Sequence, residues 1–475
     1  MIADLKPYPD YKDSGLPWVG QVPAHWNCER AKWLFTQMNR PVREEDEVVT
    51  CFRDGTVTLR KNRRLRGFTE ASVFSGYQGI RKGDFVIHGM DAFAGAIGVS
   101  DSDGKSTPVY NVCRPKMGVN AYFYAHVVRE MSQSQWILAL AKGIRERSTD
   151  FRFEMFGNQR VLHPPEDEQA AIVRFLDWAN SRLERTIRAK RKVIALLNEQ
   201  KQAIIHRVVT RGLDPDVSLK DSGISWIGAM PSHWEILSLK RVLRGLVDCE
   251  HKTAPRVDGT ALLVVRTTAV RGGELRLHGT YPTSEEAFRL WTRRAIPEAG
   301  DVIFTREAPA GEACVIPKEM NVCLGQRTVL IKPNPERIDS QFLIHMIYGG
   351  PTRLAITLAS QGSTVAHFNM SDIGAMTVFL PPIEEQLAIV DAINERTKSI
   401  VVTTSRLENE IELLREYRTR LVADVVTGKL DVRAIAATLP DAPVPGDDND
   451  AAFDDDTLDD ALDDAPDTED MEEAA

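Results

Sequence analysis

The sequence predicts two mixed α/β (α+β) domains in tandem, each followed by a long α-helix. The two helices are expected to form an antiparallel coiled coil about a pseudo-two-fold internal repeat. Three observations carry this reading. Short frames of residues occur twice, each copy ends in a long stretch free of helix breakers, and that stretch has a seven-residue apolar period in both copies.

The frames come first. Lys12-Asp13-Ser14-Gly15 precedes Trp18, Gly20, Pro23, His25 and Trp26, and Lys220-Asp221-Ser222-Gly223 precedes Trp226, Gly228, Pro231, His233 and Trp234, a constant shift of 208. Further on, Pro164-Pro165-Glu166-Asp167-Glu168-Gln169 leads into Ala171-Ile172-Val173, and Pro381-Pro382-Ile383-Glu384-Glu385-Gln386 leads into Ala388-Ile389-Val390. That shift is 217, and it holds through Val208-Val209-Thr210 against Val425-Val426-Thr427, so the second copy has nine more residues in its middle. Weaker echoes link Gly83-Asp84-Phe85-Val86-Ile87 to Gly300-Asp301-Val302-Ile303-Phe304, and Gly95 to Gly311. The rest of the middles diverge: one scaffold, two different heads.

Each Pro-Pro pair starts a helix. Proline suits a first turn but not a helix interior. Glu166, Asp167 and Glu168, like Glu384 and Glu385, oppose the positive end of the helix dipole. No Pro or Gly follows until Gly212 and Gly428. This predicts helices of about 42 residues, about 60 Å long at about 1.5 Å per residue. Leu176, Leu183, Lys190, Leu197 and Ile204 lie seven apart, as do Ile393, Ile400, Leu407, Leu414 and Leu421 in the same register. A sustained heptad needs a partner helix, and the matched copy in the same chain supplies one. The divisions are 1–163, 164–211 (first long helix), 212–380, 381–432 (second long helix) and 433–475, an acidic tail whose composition predicts no packed core.

The heads read as mixed α/β. Strand-like runs are Val48-Val49-Thr50, Phe85-Val86-Ile87, Leu262-Leu263-Val264-Val265 and Thr328-Val329-Leu330-Ile331, and helical stretches are Ala121–Leu140 and Ser340–Thr357. The tryptophans of the frames read as buried indoles, with His25 and His233 as structural hydrogen-bond partners.

Hydrophobic residues make up 43% and charged residues 27%, ordinary for a globular chain with real cores. The net charge of −9 conceals an asymmetry: sixteen acidic residues and no Lys or Arg follow Pro440, leaving a body of +7. Such a body suits a polyanionic partner. The six cysteines show no C-x-x-C spacing and read as reduced thiols, with no metal ligand set. No apolar leader and no run of about 18–20 apolar residues is present, so a membrane span is not expected.

Cations in clusters mark where such a partner would bind. The first head carries Arg53, then Arg60, Lys61, Arg63, Arg64 and Arg66, and a second group of Lys142, Arg145 and Arg147. The second head carries Lys252, Arg256, Arg266, Arg271, Arg276, Arg293 and Arg294, with the small polar loop of Gln361, Ser363 and Thr364. Lys and Arg neutralise phosphates, while Arg and Gln can read base edges through paired hydrogen bonds.

At these residues the chain resembles the specificity (S) subunit of Type I restriction–modification systems. The resemblance rests on the two Trp-x-Gly-x-x-Pro-x-His-Trp frames, the two Pro-Pro-x-x-Glu-Gln-x-x-Ile-Val stretches and the helices after them, over about residues 12–433. It implies two target recognition domains, each reading one half of a split site in double-stranded DNA, and a coiled coil that sets the spacer. Its partners would be two modification (methyltransferase) subunits using S-adenosylmethionine to methylate adenine, and a restriction (motor-nuclease) subunit using ATP and Mg. The chain itself would be neither an enzyme nor a cofactor carrier, and would work in a bacterial or archaeal cytoplasm. The acidic tail departs from the family pattern. The alternatives are a coiled-coil adaptor that binds protein only, and a recognition subunit of a different methylation or defence complex.

The residues themselves argue against catalysis. Adenine methylation calls for Asn/Asp-Pro-Pro-Tyr/Phe, but the Pro-Pro pairs here follow His163 and Leu380. Gly104-Lys105-Ser106 mimics the end of a phosphate-binding loop, yet Val99 stands where its first glycine belongs. Glu199-Gln200-Lys201 has the letters of a metal-dependent nuclease, but it sits inside the long helix with Lys201 near the seam.

Overall fold

The computed structural model describes residues 5–63, 76–140, 150–307, 309–353, 356 and 367–440. The chain divides into two compact units, residues 1–190 with 410–475 and residues 191–409. Each unit therefore holds one head, the adjoining part of one long helix and the returning part of the other. No described helix is long and apolar enough to cross a membrane.

Both heads are built on one kind of four-stranded antiparallel sheet. In the first, β1 (Phe35–Gln37), β4 (Phe85–His88), β5 (Ile97–Val99) and β6 (Tyr110–Pro115) lie in the order β1-β6-β4-β5; the hairpin β2 (Val49–Cys51) and β3 (Val57–Leu59) pairs beside them. In the second, β7 (Leu243–Asp248), β12 (Val302–Thr305), β13 (Ala313–Val315) and β15 (Thr328–Pro333) lie in the order β7-β15-β12-β13. The echo at Gly83 and Gly300 is the lead-in to β4 and β12. Side chains alternate across a strand. Phe85 and Ile87 thus face the main core of their unit, while Val86 faces a smaller core with Val49, Val57 and Val112. Val302 and Phe304 are likewise separated from Ile303. A sheet covered on both faces needs unbroken apolar strands, which is why these runs show no polar alternation.

The middles differ as their sequences do. The second head adds β8 (Leu262–Val265), β9 (Val270–Arg271), β10 (Glu274–Leu275), β11 (Thr280–Pro282) and β14 (Asn321–Leu324). Strand β8 pairs antiparallel with β11 and parallel with β14. Helix α1 (Ala121–Gln133) is shorter than the stretch Ala121–Leu140, because Gln135 takes a positive φ of 59° and a separate turn follows at Trp136–Leu140. Its counterpart α3 spans Ser340–Gly349 and ends at Gly350, short of Thr357.

Long helices α2 (Glu166–Arg211) and α4 (Ile383–Val426) have 46 and 44 residues. Gly212 and Gly428 follow them with φ of 73° and 76°, the left-handed conformation that ends a helix. In the first unit Lys190 pairs with Glu410 at 2.6 Å and Glu184 pairs with Arg418, so sequence rises along one helix as it falls along the other. Leu176 and Ala179 share a core with Leu421 and Val425. In the second unit Ile205, Val208 and Val209 share a core with Ile389, Val390 and Ile393. Leu183 and Ile400 are buried, while Leu197, Ile204, Leu407 and Leu414 are half-buried.

The repeated motifs meet at one carboxylate in each unit. Glu168, 2% exposed, accepts from Trp26 Nε1 at 3.0 Å and from the Tyr8 hydroxyl, and bonds His25 Nε2 at 2.8 Å. Glu385 accepts from Trp234 Nε1 at 3.0 Å and bonds His233 Nε2 at 2.7 Å. The adjoining glutamines tie helix starts together. Gln169 donates to Pro164 O at 2.9 Å and accepts from Asn120 N, just before α1. Gln386 donates to Pro381 O at 2.9 Å and accepts from Asp339 N, just before α3. This explains why Glu-Gln follows each Pro-Pro.

The expected acidic tail begins later than residue 433. Arg433–Ala436 is helical, and Val432, Ala436 and Leu439 are buried in the first core at helical spacing. Arg433 also pairs with Asp431 at 2.7 Å and lies over the Tyr8 ring. Residues 441–475 lie outside the described residues.

Gly428 is packed where Gly223 is open. A Cβ on Gly428 would lie 2.4 Å from Pro23 Cδ and 3.0 Å from Trp26 Cη2, whereas one on Gly223, with a similar φ of 70°, would meet nothing within 4 Å. Gly428→Ala should cost about 2–4 kcal/mol, from strain at positive φ plus overpacking, and Gly223→Ala about 1 kcal/mol. Denaturant unfolding checks this, and similar losses would show that the Pro23–Trp26 contact matters little.

Candidate nucleic-acid interface

The first head gathers its cations on the β2–β3 hairpin and the turn after it. Arg53 at the tip pairs with Asp91 at 3.3 Å. Arg63 pairs with Asp54 at 2.5 Å and stacks on the Phe52 ring, 4.6 Å from its centroid. Lys61 pairs with Glu47 at 2.5 Å, and Arg60 donates Nε to Thr50 Oγ1 at 3.2 Å. Burial alone would raise the Asp54 carboxyl, but the Thr56 amide and Arg63 hold it below its ordinary value. Arg64, Arg66, Lys142, Arg145 and Arg147 lie outside the described residues.

The second head arranges its cations differently. Glu250 takes Arg293 through two bonds, at 3.1 and 2.9 Å, and lies 3.4 Å from Arg294 Nε. Arg294 also reaches the carbonyls of Asp248 and Cys249. Arg256 pairs with Asp258 at 3.3 Å, and Arg266 lies 5.9 Å from the Tyr281 ring centroid. Lys252 and Arg276 are exposed and Arg271, on β9, is half-buried. Gln361, Ser363 and Thr364 lie outside the described residues. The exposed pairs Arg53–Asp91, Lys61–Glu47 and Arg256–Asp258 contribute about 0–1 kcal/mol, so a phosphate can replace the carboxylate there at little cost, whereas Glu250, only 10% exposed, holds Arg293 and Arg294 more firmly.

Sequence reading missed Arg306. Its buried guanidinium donates from Nη1 to both oxygens of Asp248 at 2.9 Å and from Nε to Phe368 O at 2.8 Å. Asp248, Cys249 and His251 also place ligand-type atoms within 4.8 Å of one another, a constellation that a C-x-x-C search cannot find. Burial would raise the Asp248 carboxyl, but His251 and Arg306 hold it low. The Arg306 charge already satisfies that carboxylate and opposes a cation beside it.

A cleft of about 420 Å³ opens in the second unit, lined by Gln202, His206, Trp226, Tyr348 and Arg353 with Gly349 and Gly350. The frame residue Trp226 stacks on His206 with ring centroids 5.9 Å apart and stays 40% exposed.

Residues 290–413 match the family described as Type I restriction modification DNA specificity domain. The Type I restriction enzyme EcoBI specificity subunit of Escherichia coli is 27% identical over 107 residues, 22% of this chain and 22% of that protein. The matched segment thus spans under a quarter of the curated relative's length. A chain solved in a study of complex assembly and conformational transition of the type I R-M system aligns over 86% of this chain and 99% of its own, at 15% identity and a TM-score of 0.57. The HsdS subunit from Thermoanaerobacter tengcongensis aligns over 86% and 98%, at 16% identity and a TM-score of 0.41. Residues 290–413 are thus similar to a DNA specificity domain, and the fold is similar to that of the chain solved in the type I R-M study.

Proposed function

We propose that this chain is the non-catalytic subunit that reads DNA for a Type I restriction–modification complex, each head taking one half of a bipartite target. The observation that carries this is the duplication itself. One sheet order and one Trp–Glu node recur in both units, while the cations mounted on them differ, as two heads reading two unlike half-sites require. The long helices pair as an antiparallel coiled coil through both units and set the gap between half-sites.

Modification subunits dock on the frames and helices. Outward apolar residues on α4, Val401 and Val402 in the second unit and Leu413 and Tyr417 in the first, give partner helices a surface. Those partners would hold S-adenosylmethionine and methylate adenine, and a motor-nuclease subunit would bring ATP and Mg; this chain supplies sequence choice.

The test is co-expression with an adenine methyltransferase partner in a host lacking other methylation, followed by genome-wide mapping of N6-methyladenine. The expected result is one split motif with a fixed gap. A continuous motif, or methylation unchanged when this chain is omitted, would overturn the proposal.

A further inference from the structure

The two heads share a node that is closed in one and open in the other. The bonds from Asn120 N to Gln169 and from Asp339 N to Gln386 align the starts of α1 and α3, and nine residues on stand Arg129 and Tyr348. Both side chains support a hairpin glycine with φ of 92°: Gly55 between β2 and β3, and Gly273 between β9 and β10. A Cβ on Gly55 would lie 2.3 Å from Arg129 Nη1, and one on Gly273 would lie 3.9 Å from Tyr348 Cε2. The residues after Gly95 and Gly311 complete the node, Ala96 in the first head and Glu312 in the second.

In the second head the node satisfies itself. Glu312 Oε2 accepts from the Tyr348 hydroxyl at 2.7 Å and from the Gly272 amide at 2.8 Å. In the first head the carboxylate is replaced by the methyl group of Ala96, and the phenol by a guanidinium. Among the described residues Arg129 makes no hydrogen bond or ion pair. Asp54 lies nearby, but its oxygens are committed to Arg63 and to the Thr56 amide. Burial, with the nearby Arg418 charge, pulls the Arg129 pKa below its ordinary value against the attraction of Asp54. A half-buried guanidinium with no hydrogen bond among the described residues can take an anion that arrives from outside. The neighbouring tip residues Arg53, Asp54 and Thr56 are exposed, so the node lies close to the surface.

We propose that a backbone phosphate of DNA supplies the missing anion, making Arg129 a phosphate-contacting residue that seats the β2–β3 hairpin on the duplex. This rests on the DNA-reading function above and names the contact that the second head does not need. A bidentate guanidinium–phosphate pair is the geometry for which arginine is suited.

The test is a salt series of binding between the full chain and a random-sequence DNA duplex. Arg129→Gln should lower affinity about five- to tenfold at low salt and reduce the slope of log K against log salt by about 0.9, the loss of one phosphate. Arg129→Lys should restore the slope. A merely structural role would change the melting temperature and leave the slope alone, and that result overturns the proposal. If Arg129→Gln fails to fold, amide exchange of residues 52–57 in the native chain decides. Protection by the duplex supports the contact, and unchanged exchange overturns it. A native chain that binds the duplex with no salt dependence would instead sink the DNA reading itself.

Discussion

Replacing Glu168 with alanine is expected to destabilise the first unit by about 3 kcal/mol, lowering its melting temperature by about 6–12 °C. The carboxylate is almost completely buried and serves the Trp26 indole, His25 and the Tyr8 hydroxyl. Alanine would strand two buried donors away from water, and an unsatisfied buried donor costs about 1–3 kcal/mol. Glu385→Ala should cost less, about 1–2 kcal/mol. The Glu385 side chain is 27% exposed, and its described partners are Trp234 and His233, with no tyrosine in the place of Tyr8. The measurement is thermal unfolding of both variants, with hydrogen exchange to assign the loss to each unit. Equal losses would show that burial does not set the strength of the node.

Much of this architecture is legible because the repeat samples the same physics twice. Chance can place Glu168 beside Gln169 after two prolines, but not repeat the arrangement at Glu385 and Gln386 with the same frame upstream. The helix ends are readable from Pro165, Pro382, Gly212 and Gly428, whose backbone preferences are local. Long-range polar pairing is not readable. Sequence alone leaves Arg293 and Arg294 free to meet DNA, but Glu250, more than forty residues earlier, holds both. Arg129 gives no signal within its apolar helix, and only the fold brings Gly55 and Gly95 to it. The packed segment before the acidic tail is missed for a related reason. Val432, Ala436 and Leu439 form a short helical face whose core lies in the other terminal half of the chain.

The differences between the heads follow from the constraint they share. Helix-facing surfaces must keep the Trp–Glu node and the heptad contacts, so variation is pushed into the hairpins beyond the four-stranded sheet. There the first head keeps a short β2–β3 turn crowded with arginines, while the second interposes a three-stranded sheet containing the parallel pair β8–β14. Insertions at such a rim leave the core intact. Under the proposed function, that arrangement lets recognition change without disturbing assembly.

Lengthening both long helices by one heptad should move the gap of the recognised motif without changing its halves. Seven residues inserted between Leu197 and Asn198, and seven more between Val402 and Thr403, preserve the seam and add about 10 Å at about 1.5 Å per residue. At about 3.4 Å per base pair this is about three base pairs of spacer. Four residues inserted after Leu197 alone should have the opposite character. The seam of α2 would then slip against Ile400 and Leu407 while α4 stays in register, so assembly with the modification subunits and methylation should both be lost. Mapping methylated adenines for the two variants separates a ruler from a passive linker. If the double insertion leaves the native gap unchanged, or the single insertion is tolerated with the native motif, the helices do not set the spacing.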